Sequence, residues 1–524
     1  MLKGRMPGRA AEPASRREGF FQKDLFFCVL ASTFLFGLAA HGYCYFNLTY
    51  SHDSLLICQG ADGPAQISIG RFLLPVYLKI RGDFYAPWLV GLLSLLFLSC
   101  AAYLALRLLE IRSRPLCVFS CGVLAVNASL TLTNATYLKD ADVYMLALLL
   151  AVAAVYLWAR VPWGLFPAAG ALCLSLGLYQ AFFQAAVFLS MVFVVKTILE
   201  RADLREILLT GGSAVASLLL GLIVYSIAMN AVLAITDIEM AGTYNSIAHM
   251  VQLGDLSQIL YLVKETCRGA IHAFAHPETA HSAGMAALNL LLTAASAGLL
   301  GWLAVSREIR GWPLVLLLAD VLLMPFGMNV VYLISQGVDH TLMHFSFFFY
   351  YVFAAMLLDA YWQERPPDAG LPWCLPGWII PCVLAAFLFN SVIYANQVYL
   401  KKDLEYQATL LTMTRVVDRI EQTEGYTAGK TRVALVGTLS ASVLSVPREG
   451  LSDLAGIGLD GTFSLTYPTT YHWYFRRILA YPIALLSVAD SEKMAQLDSV
   501  QRMPAFPAPG SCAMVDGVVV VKLS

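Results

Sequence analysis

Residues 163–195 read WGLFPAAGALCLSLGLYQAFFQAAVFLSMVFVV, and the way this stretch divides decides the architecture of the chain. It is far longer than the roughly 20 residues one helix needs to cross a hydrocarbon core. A single tilted helix would send every downstream loop to the opposite side from a pair of helices. Gly177-Leu178-Tyr179-Gln180 offers the break, because a glycine and two polar-tipped residues interrupt the apolar run there. Charge arbitrates, since Lys and Arg concentrate in the short cytoplasmic loops of membrane proteins. With the stretch split in two, basic residues follow every even-numbered apolar run. They are Arg107, Arg112 and Arg114 after the second, Arg160 after the fourth, and Lys196, Arg201 and Arg205 after the sixth. Arg307 and Arg310 follow the eighth, and Arg365 the tenth. The hairpin reading therefore places all of these on one side and its own turn, at Tyr179-Gln180, on the other.

Outward from that hairpin, apolar runs recur near 25–46, 84–106, 115–133, 143–159, 163–178, 180–197, 206–234, 284–305, 312–334, 342–362 and 371–395. The expectation is a mainly α, polytopic membrane protein of about eleven transmembrane helices. Composition agrees: 59% of the 524 residues are hydrophobic and 13% charged, with a mean hydropathy of +0.67, against roughly 45–50% apolar in soluble domains. The 34 basic and 35 acidic residues nearly cancel, which argues against a basic nucleic-acid binder.

Residues 1–24 form a tail carrying Lys3, Arg5, Arg9, Arg16, Arg17 and Lys23, read as cytoplasmic and leading into an uncleaved first helix. Residues 25–397 make the membrane domain, with outer loops at 47–83, 133–144 and 235–282. The last loop is amphipathic: Met250, Leu253, Leu256, Ile259, Leu260 and Leu262 recur near helical spacing, as in a helix lying on the membrane surface. Residues 398–524 read as a small α/β domain on the outer face. Within it, Asp403–Gln422 has helical periodicity, RVALV (432–436) reads as a strand, Tyr467–Tyr481 as an aromatic helix, and VDGVVVVK (515–522) as a closing strand. Most cysteines sit in apolar runs as small hydrophobes; Cys58, Cys267 and Cys512 fall in outer segments, where one disulfide is allowed.

The chemistry concentrates in the opening loop, NLTYSHDSLLICQGADGPAQISIGRFLLPVYLKIRGD (47–83), which gathers Tyr50, His52, Asp53, Asp62, Arg71 and Asp83 between two apolar runs. Asp53 is the candidate catalytic carboxylate, with Tyr50 and His52 placed to bond or tune it. Arg71 is the candidate for a lipid phosphate, because a planar guanidinium offers paired donors to phosphate oxygens; its bland alternative is headgroup snorkelling. A second cluster, Lys139, Asp140 and Asp142, supplies another cation for phosphate and carboxylates for sugar hydroxyls or for holding Arg71. Tyr179 and Gln180, at the hairpin tip, are candidates to hydrogen-bond a sugar. His272 and His276 lie four apart, with His281 beyond, but no Glu completes an HExxH arrangement, so no metal site is assigned. His340 and His344 read as interfacial hydrogen-bonding residues.

The order of YSHDSL (50–55), IGRFLLPVYL (69–78), TYLKDADVYMLALLLAVAAVYL (136–157) and SLGLYQAFFQAAVFL (175–189) resembles the bacterial GtrII-type glucosyltransferase family, which modifies O-antigen or related surface glycans. The resemblance covers roughly residues 25–400. It implies a GT-C type membrane fold in a bacterial inner membrane. The implied donor is a polyprenyl-phosphate hexose, typically glucose, and the implied acceptor is a lipid-linked or lipopolysaccharide glycan on the periplasmic side. It carries over Asp53 alone as catalytic, since the family's two adjacent acidic residues read His52-Asp53 here. No cofactor is implied beyond that donor, and a divalent metal stays open. Three other classes compete: a transporter or flippase, with Asp320 and Asp359 as intramembrane relays; a GT-C transferase of another sugar; and a partner-binding outer domain on a membrane anchor.

Overall fold

The computed structural model describes residues 22–51, 54–55, 63–82, 84–241, 256–275, 283–335, 337, 340–364, 371–439 and 467–524. His52, Asp53, Cys58, Asp62, Asp83, Met250, Leu253, His276, His281, Arg365 and the basic tail before Gln22 lie outside them. The helices are α1 (Lys23–Phe46), α2 (Gly63–Ser68), α3 (Leu74–Arg81), α4 (Pro87–Leu109), α5 (Arg114–Val126), α6 (Ala128–Tyr137), α7 (Ala141–Arg160), α8 (Leu165–Leu178) and α9 (Phe183–Leu199). They continue with α10 (Leu204–Thr236), α11 (Leu256–Ala275), α12 (Ala283–Ser306), α13 (Trp312–Met328), α14 (Val330–Ile334), α15 (Phe349–Glu364) and α16 (Leu371–Glu421).

Each of the eleven apolar runs carries helix, but eight helical stretches among the described residues are long and apolar enough to cross a membrane. The difference from eleven has a geometric cause. With 14 and 17 residues, α8 and α13 reach only about 21 and 26 Å, short of a hydrocarbon core of about 30 Å. Between Arg114 and Arg160 the helices run on as one 47-residue stretch, in which Asn127 caps α6 by accepting the Leu130 N–H at 2.9 Å.

The split of 163–195 is where the sequence places it. Tyr179 is extended (φ −159°, ψ 116°) between the end of α8 and the turn that starts α9. Gly177 lets the opening loop approach that break: a Cβ there would stand 2.8 Å from the Phe72 ring, and the Leu73 N–H donates to the Gly177 carbonyl at 2.9 Å.

Ion pairs gather the ends of the even-numbered runs at one end of the bundle. Glu110, just past α4, meets Arg160 of α7 at 2.6 Å and Lys196 of α9 at 3.3 Å. Arg307, just past α12, meets Glu364 of α15 at 2.5 Å and donates to the Leu199 carbonyl of α9 at 3.0 Å. Asp359 of α15 accepts the Arg112 and Ser113 N–H groups at 3.0 and 2.9 Å. Asp359 thus holds the turn before α5, and its Oδ2 also accepts the Gln363 amide at 2.8 Å. Helices α4, α7 and α9 begin at the opposite end, where the opening loop, residues 136–142 and the α8–α9 break come together.

The chain after Ile380 departs from the simple picture in three ways. Helix α16 runs unbroken for 51 residues, through position 397 and the whole 403–421 segment. The aromatic 467–481 stretch is helical only over Tyr471–Trp473 and a π-turn at Tyr474–Ile478. The closing strand is a hairpin: β3 (Cys512–Val515) and β4 (Val518–Lys522) are antiparallel around Asp516-Gly517, both at positive φ, as a two-residue Asp-Gly turn requires. With β1 (Arg432–Val436) and β2 (Ala484–Leu485), the sheet has the order β2-β1-β4-β3, and β1 is parallel to both neighbours. A core of Leu55 from the opening loop, Met413, Val416 and Ile420 from α16, and Val433, Val519 and Val521 from the sheet joins this unit to the opening-loop end of the bundle. Cys267 and Cys512 are free thiols, and Cys512 lies 3.2 Å from the Thr423 hydroxyl.

Helix α11 buries one face and leaves a mixed polar and apolar face exposed. Leu262, Thr266 and Ala270 are buried while Leu260, Tyr261 and Ile271 are exposed, and the Asn329 amide donates to the Thr266 carbonyl at 3.2 Å.

Candidate active site

The opening loop is fastened to the α8–α9 break by a cradle around Gly70. This residue has φ +87°, and a Cβ on it would fall 2.5 Å from both the Gln180 amide nitrogen and the Tyr225 hydroxyl. Gln180 donates to the Ile69 carbonyl at 3.0 Å, and the Tyr225 hydroxyl donates to the Gly70 carbonyl at 3.0 Å. Only glycine combines that backbone with that approach. Phe72 stacks on Tyr225 with centroids 6.0 Å apart, so the loop enters α3 with its backbone fixed on both sides of Arg71.

Arg71 is thereby delivered onto Tyr179, its guanidinium carbon 4.8 Å from the ring centroid. Tyr179 in turn packs on Tyr144 at 4.4 Å. The structure thus brings Arg71 to the adjacent Tyr179 and Gln180, which lie far from it in sequence. Stacking engages the face of a guanidinium, while its N–H fork lies in the plane and suits oxygen acceptors.

Asp142 does not hold Arg71. Its partner is Arg81, at 2.8 Å, with side-chain exposures of 0% and 6% for the aspartate and the arginine. The second carboxylate oxygen accepts the Tyr77 hydroxyl at 2.8 Å, and the first also accepts the Val143 N–H at 3.0 Å. Arg81 donates further to the Lys139 carbonyl at 2.7 Å. Burial, with the charge of Asp142 adding to it, raises the pKa of the Tyr77 hydroxyl, so it stays a donor to the carboxylate. The sequence reading missed Tyr77 and Arg81. The signal was present, because the two are four apart and lie on one face of α3 with Leu74 and Leu78. Lys139 and Asp140 belong to the short turn before α7, with Lys139 Nζ 3.8 Å from the Asp140 carboxylate.

His52 and Asp53 lie outside the described residues, but both flanks are fixed. Tyr50 packs between Tyr85 and Tyr406, at centroid distances of 5.9 and 6.4 Å. The Ser51 hydroxyl donates to the Thr136 carbonyl at 2.5 Å, and Leu55 is fully buried beside α16. Ser51 is thus tied to the end of α6, three residues before Lys139, and Tyr50 and Leu55 pack against α16. His272 stands on α11, and among the described residues no group of three or more His, Cys, Asp or Glu side chains could hold a metal ion.

The family model described as Glucosyl transferase GtrII matches residues 42–358. The chain belongs to that family. The match runs from the end of α1 to α15 and takes in every candidate residue named above, whereas α16 and the sheet lie beyond it. No curated protein and no solved structure matches the chain. Family membership and the long apolar helices together make this GtrII-family chain a membrane glycosyltransferase.

Proposed function

We propose that this protein transfers a hexose, glucose by preference, from a polyprenyl-phosphate donor to a lipid-linked glycan or O-antigen on the periplasmic side of a bacterial inner membrane. The side follows from charge: the end of the bundle that collects Glu110, Arg160, Lys196, Arg201 and Arg307 is rich in basic residues and faces the cytoplasm. The opening loop and the C-terminal sheet then face the periplasm. One observation carries the reading. The opening loop is bonded to both the α6–α7 junction and the α8–α9 break, which collects Arg71, Lys139, Asp140, Tyr179 and Gln180 at one end of a bundle of the GtrII family.

In this mechanism Asp53 takes the proton of the acceptor hydroxyl as its oxygen attacks the anomeric carbon. The bond from that carbon to the phosphate oxygen breaks, its electron pair leaves with the polyprenyl monophosphate, and configuration inverts. Arg71 and Lys139 supply positive charge against the negative charge that grows on the phosphate. Tyr50, His52, Asp140, Tyr179 and Gln180 bind sugar hydroxyls, while Asp142 positions α3 through Arg81.

Purified protein in lipid nanodiscs, given polyprenyl-phosphate glucose and a lipid-linked glycan, is expected to form glycosylated acceptor. Asp53→Asn should lower turnover by about 10²–10⁴ with an unchanged melting temperature. A well-folded Asp53→Asn variant as active as the parent removes Asp53 as base. The transport reading rests on Asp320 of α13, whose Oδ2 is buried without a hydrogen bond among the described residues; substrate flux into liposomes without covalent product would favour it.

A further inference from the structure

The sheet lies beyond the stretch the family model matches, and its topology is that of an open α/β ligand site. Strand β1 is parallel to both β2 and β4, so these three strands end on the same side, at Val436, Leu485 and Lys522. The connections around them diverge. The segment that leads into β2 packs Tyr471, Tyr474 and Phe475 with Val433 and Leu435 on one face of the sheet. The segment that leaves β2 forms α17 (Val488–Ala495), and its Met494 and Ala495 pack with Ala434 and Val436 on the other face. Adjacent parallel strands whose connections go to opposite faces leave a crevice outside their carboxyl ends, where ligands bind in such sheets.

A cavity of about 600 Å³ stands at that position, within the roughly 300–1,000 Å³ of small-ligand sites. Its apolar lining includes Val436, Leu485 and Tyr471, and its polar lining includes Thr438, Thr469, His472, Ser491, Glu492 and Ser524. The Tyr471 hydroxyl donates to the Gly437 carbonyl at 3.0 Å, which fixes the ring at the end of β1. Gly437, at φ +82°, turns the chain past the Ser524 hydroxyl, with which a Cβ would collide.

Charge selects the class of ligand. Phosphates bind at helix N-termini in this position of many α/β folds, but the start of α17 is already answered from within the chain. The Ser487 hydroxyl accepts the Asp490 N–H at 3.1 Å and donates to the Asp490 carboxylate at 2.7 Å. Lys493 takes up the charge of Asp490 at 2.7 Å, and Glu492 is the carboxylate that lines the cavity. A phosphate would meet like charge there. Hydroxyls that both donate and accept, a carboxylate that accepts strongly and an aromatic ring suit a neutral polyhydroxylated ligand instead. Tyr471 also shares its apolar core with Leu55 of the opening loop and Met413 and Val416 of α16, so the cavity belongs to a unit anchored at the opening-loop end of the bundle. We propose that this cavity is a glycan subsite, which holds one sugar of the acceptor while another sugar of the same glycan is modified at the opening loop. The inference rests on the acceptor proposed above.

The test uses the full chain in nanodiscs, with the lipid-linked glycan as acceptor and the water-soluble oligosaccharide released from it as binding probe. The parent should bind the oligosaccharide saturably in the absence of donor. Ser491 is half-buried and Glu492 exposed. Ser491→Trp fills the cavity and should weaken oligosaccharide binding by about tenfold or more, raising the acceptor KM while the donor KM stays at the parent value. Glu492→Gln removes one charged acceptor and should weaken binding by about tenfold with the melting temperature unchanged, which keeps the proposal falsifiable if Ser491→Trp does not fold. Parent-like oligosaccharide binding by folded Ser491→Trp or by Glu492→Gln overturns the subsite. So does competition with the oligosaccharide by inorganic phosphate or a nucleotide, which marks an anion site. Failure of the two readings is distinguishable. Oligosaccharide binding that Ser491→Trp abolishes, without any hexose transfer by the parent, keeps the glycan site and sinks the transferase; transfer by folded Ser491→Trp at the parent acceptor KM does the reverse.

Discussion

Arg71 and Arg81 sit ten residues apart on the same loop, and the fold treats them in opposite ways. Arg81 is sealed: its charge meets Asp142 at 2.8 Å, and its remaining reach goes to a backbone carbonyl. Arg71 is laid on the face of Tyr179 by a loop whose glycine, amide and phenol contacts fix the backbone before it. The difference separates a cation locked to a buried carboxylate from one seated on an aromatic face, the one proposed to meet the phosphate. Breaking the sealed pair is the harshest way to probe this contrast. Arg81→Met should cost about 3–5 kcal/mol by stranding a buried carboxylate, read as a large drop in melting temperature and yield. The double variant Arg81→Met with Asp142→Leu should recover most of that loss, since an apolar pair can replace a buried ion pair. An Arg81→Met protein as stable as its parent would erase the distinction.

The same contrast predicts a second effect of opposite character. Arg71→Lys keeps the charge but removes the planar fork, so hexose transfer should fall by about 10²-fold, on the order of 2.7 kcal/mol in barrier. The melting temperature should move little, because an exposed or half-exposed cation–π contact contributes only about 0.5–1 kcal/mol. Loss of stability matching that of Arg81→Met would make Arg71 a second structural cation and withdraw it from the phosphate.

How much of this was legible beforehand depends on the range of the interaction concerned. The break at Gly177–Gln180 and the basic end of the bundle could be read because both are written in local sequence, as an interruption and as loop charge. The choice of Arg81 over Arg71 for Asp142 could not, since it depends on α3 being a helix of eight residues that aims Tyr77 and Arg81 at a residue 65 and 61 positions away. Among the described residues fewer stretches than eleven meet the length for crossing, because hydropathy registers apolar length without helix ends, and Asn127, Tyr179 and Asn329 all end helices inside apolar sequence. The Asp516-Gly517 turn was readable and was passed over: four consecutive valines suggested one strand, although Asp-Gly is among the strongest short hairpin signals.

The mildest tests sharpen the comparison at its hinge, the cradle that delivers Arg71. Gly70→Ala forces a side chain into a positive-φ backbone and against Gln180 and Tyr225, a strain of about 1–3 kcal/mol, and it should reduce transfer by displacing the guanidinium from Tyr179. Tyr225→Phe removes only the hydroxyl that donates to the Gly70 carbonyl and accepts from Gln180 at 3.2 Å, so about 1 kcal/mol is expected. Phe72 still has a ring to stack on. Together the two variants grade the cradle: if presentation of Arg71 controls turnover, donor KM should rise in Gly70→Ala and change less in Tyr225→Phe, while Arg81 and Asp142 stay paired in both. Equal KM values in the parent and both variants would mean that the loop tolerates a misplaced Arg71, and the charge opposing the leaving phosphate would then have to come from elsewhere at this end of the bundle.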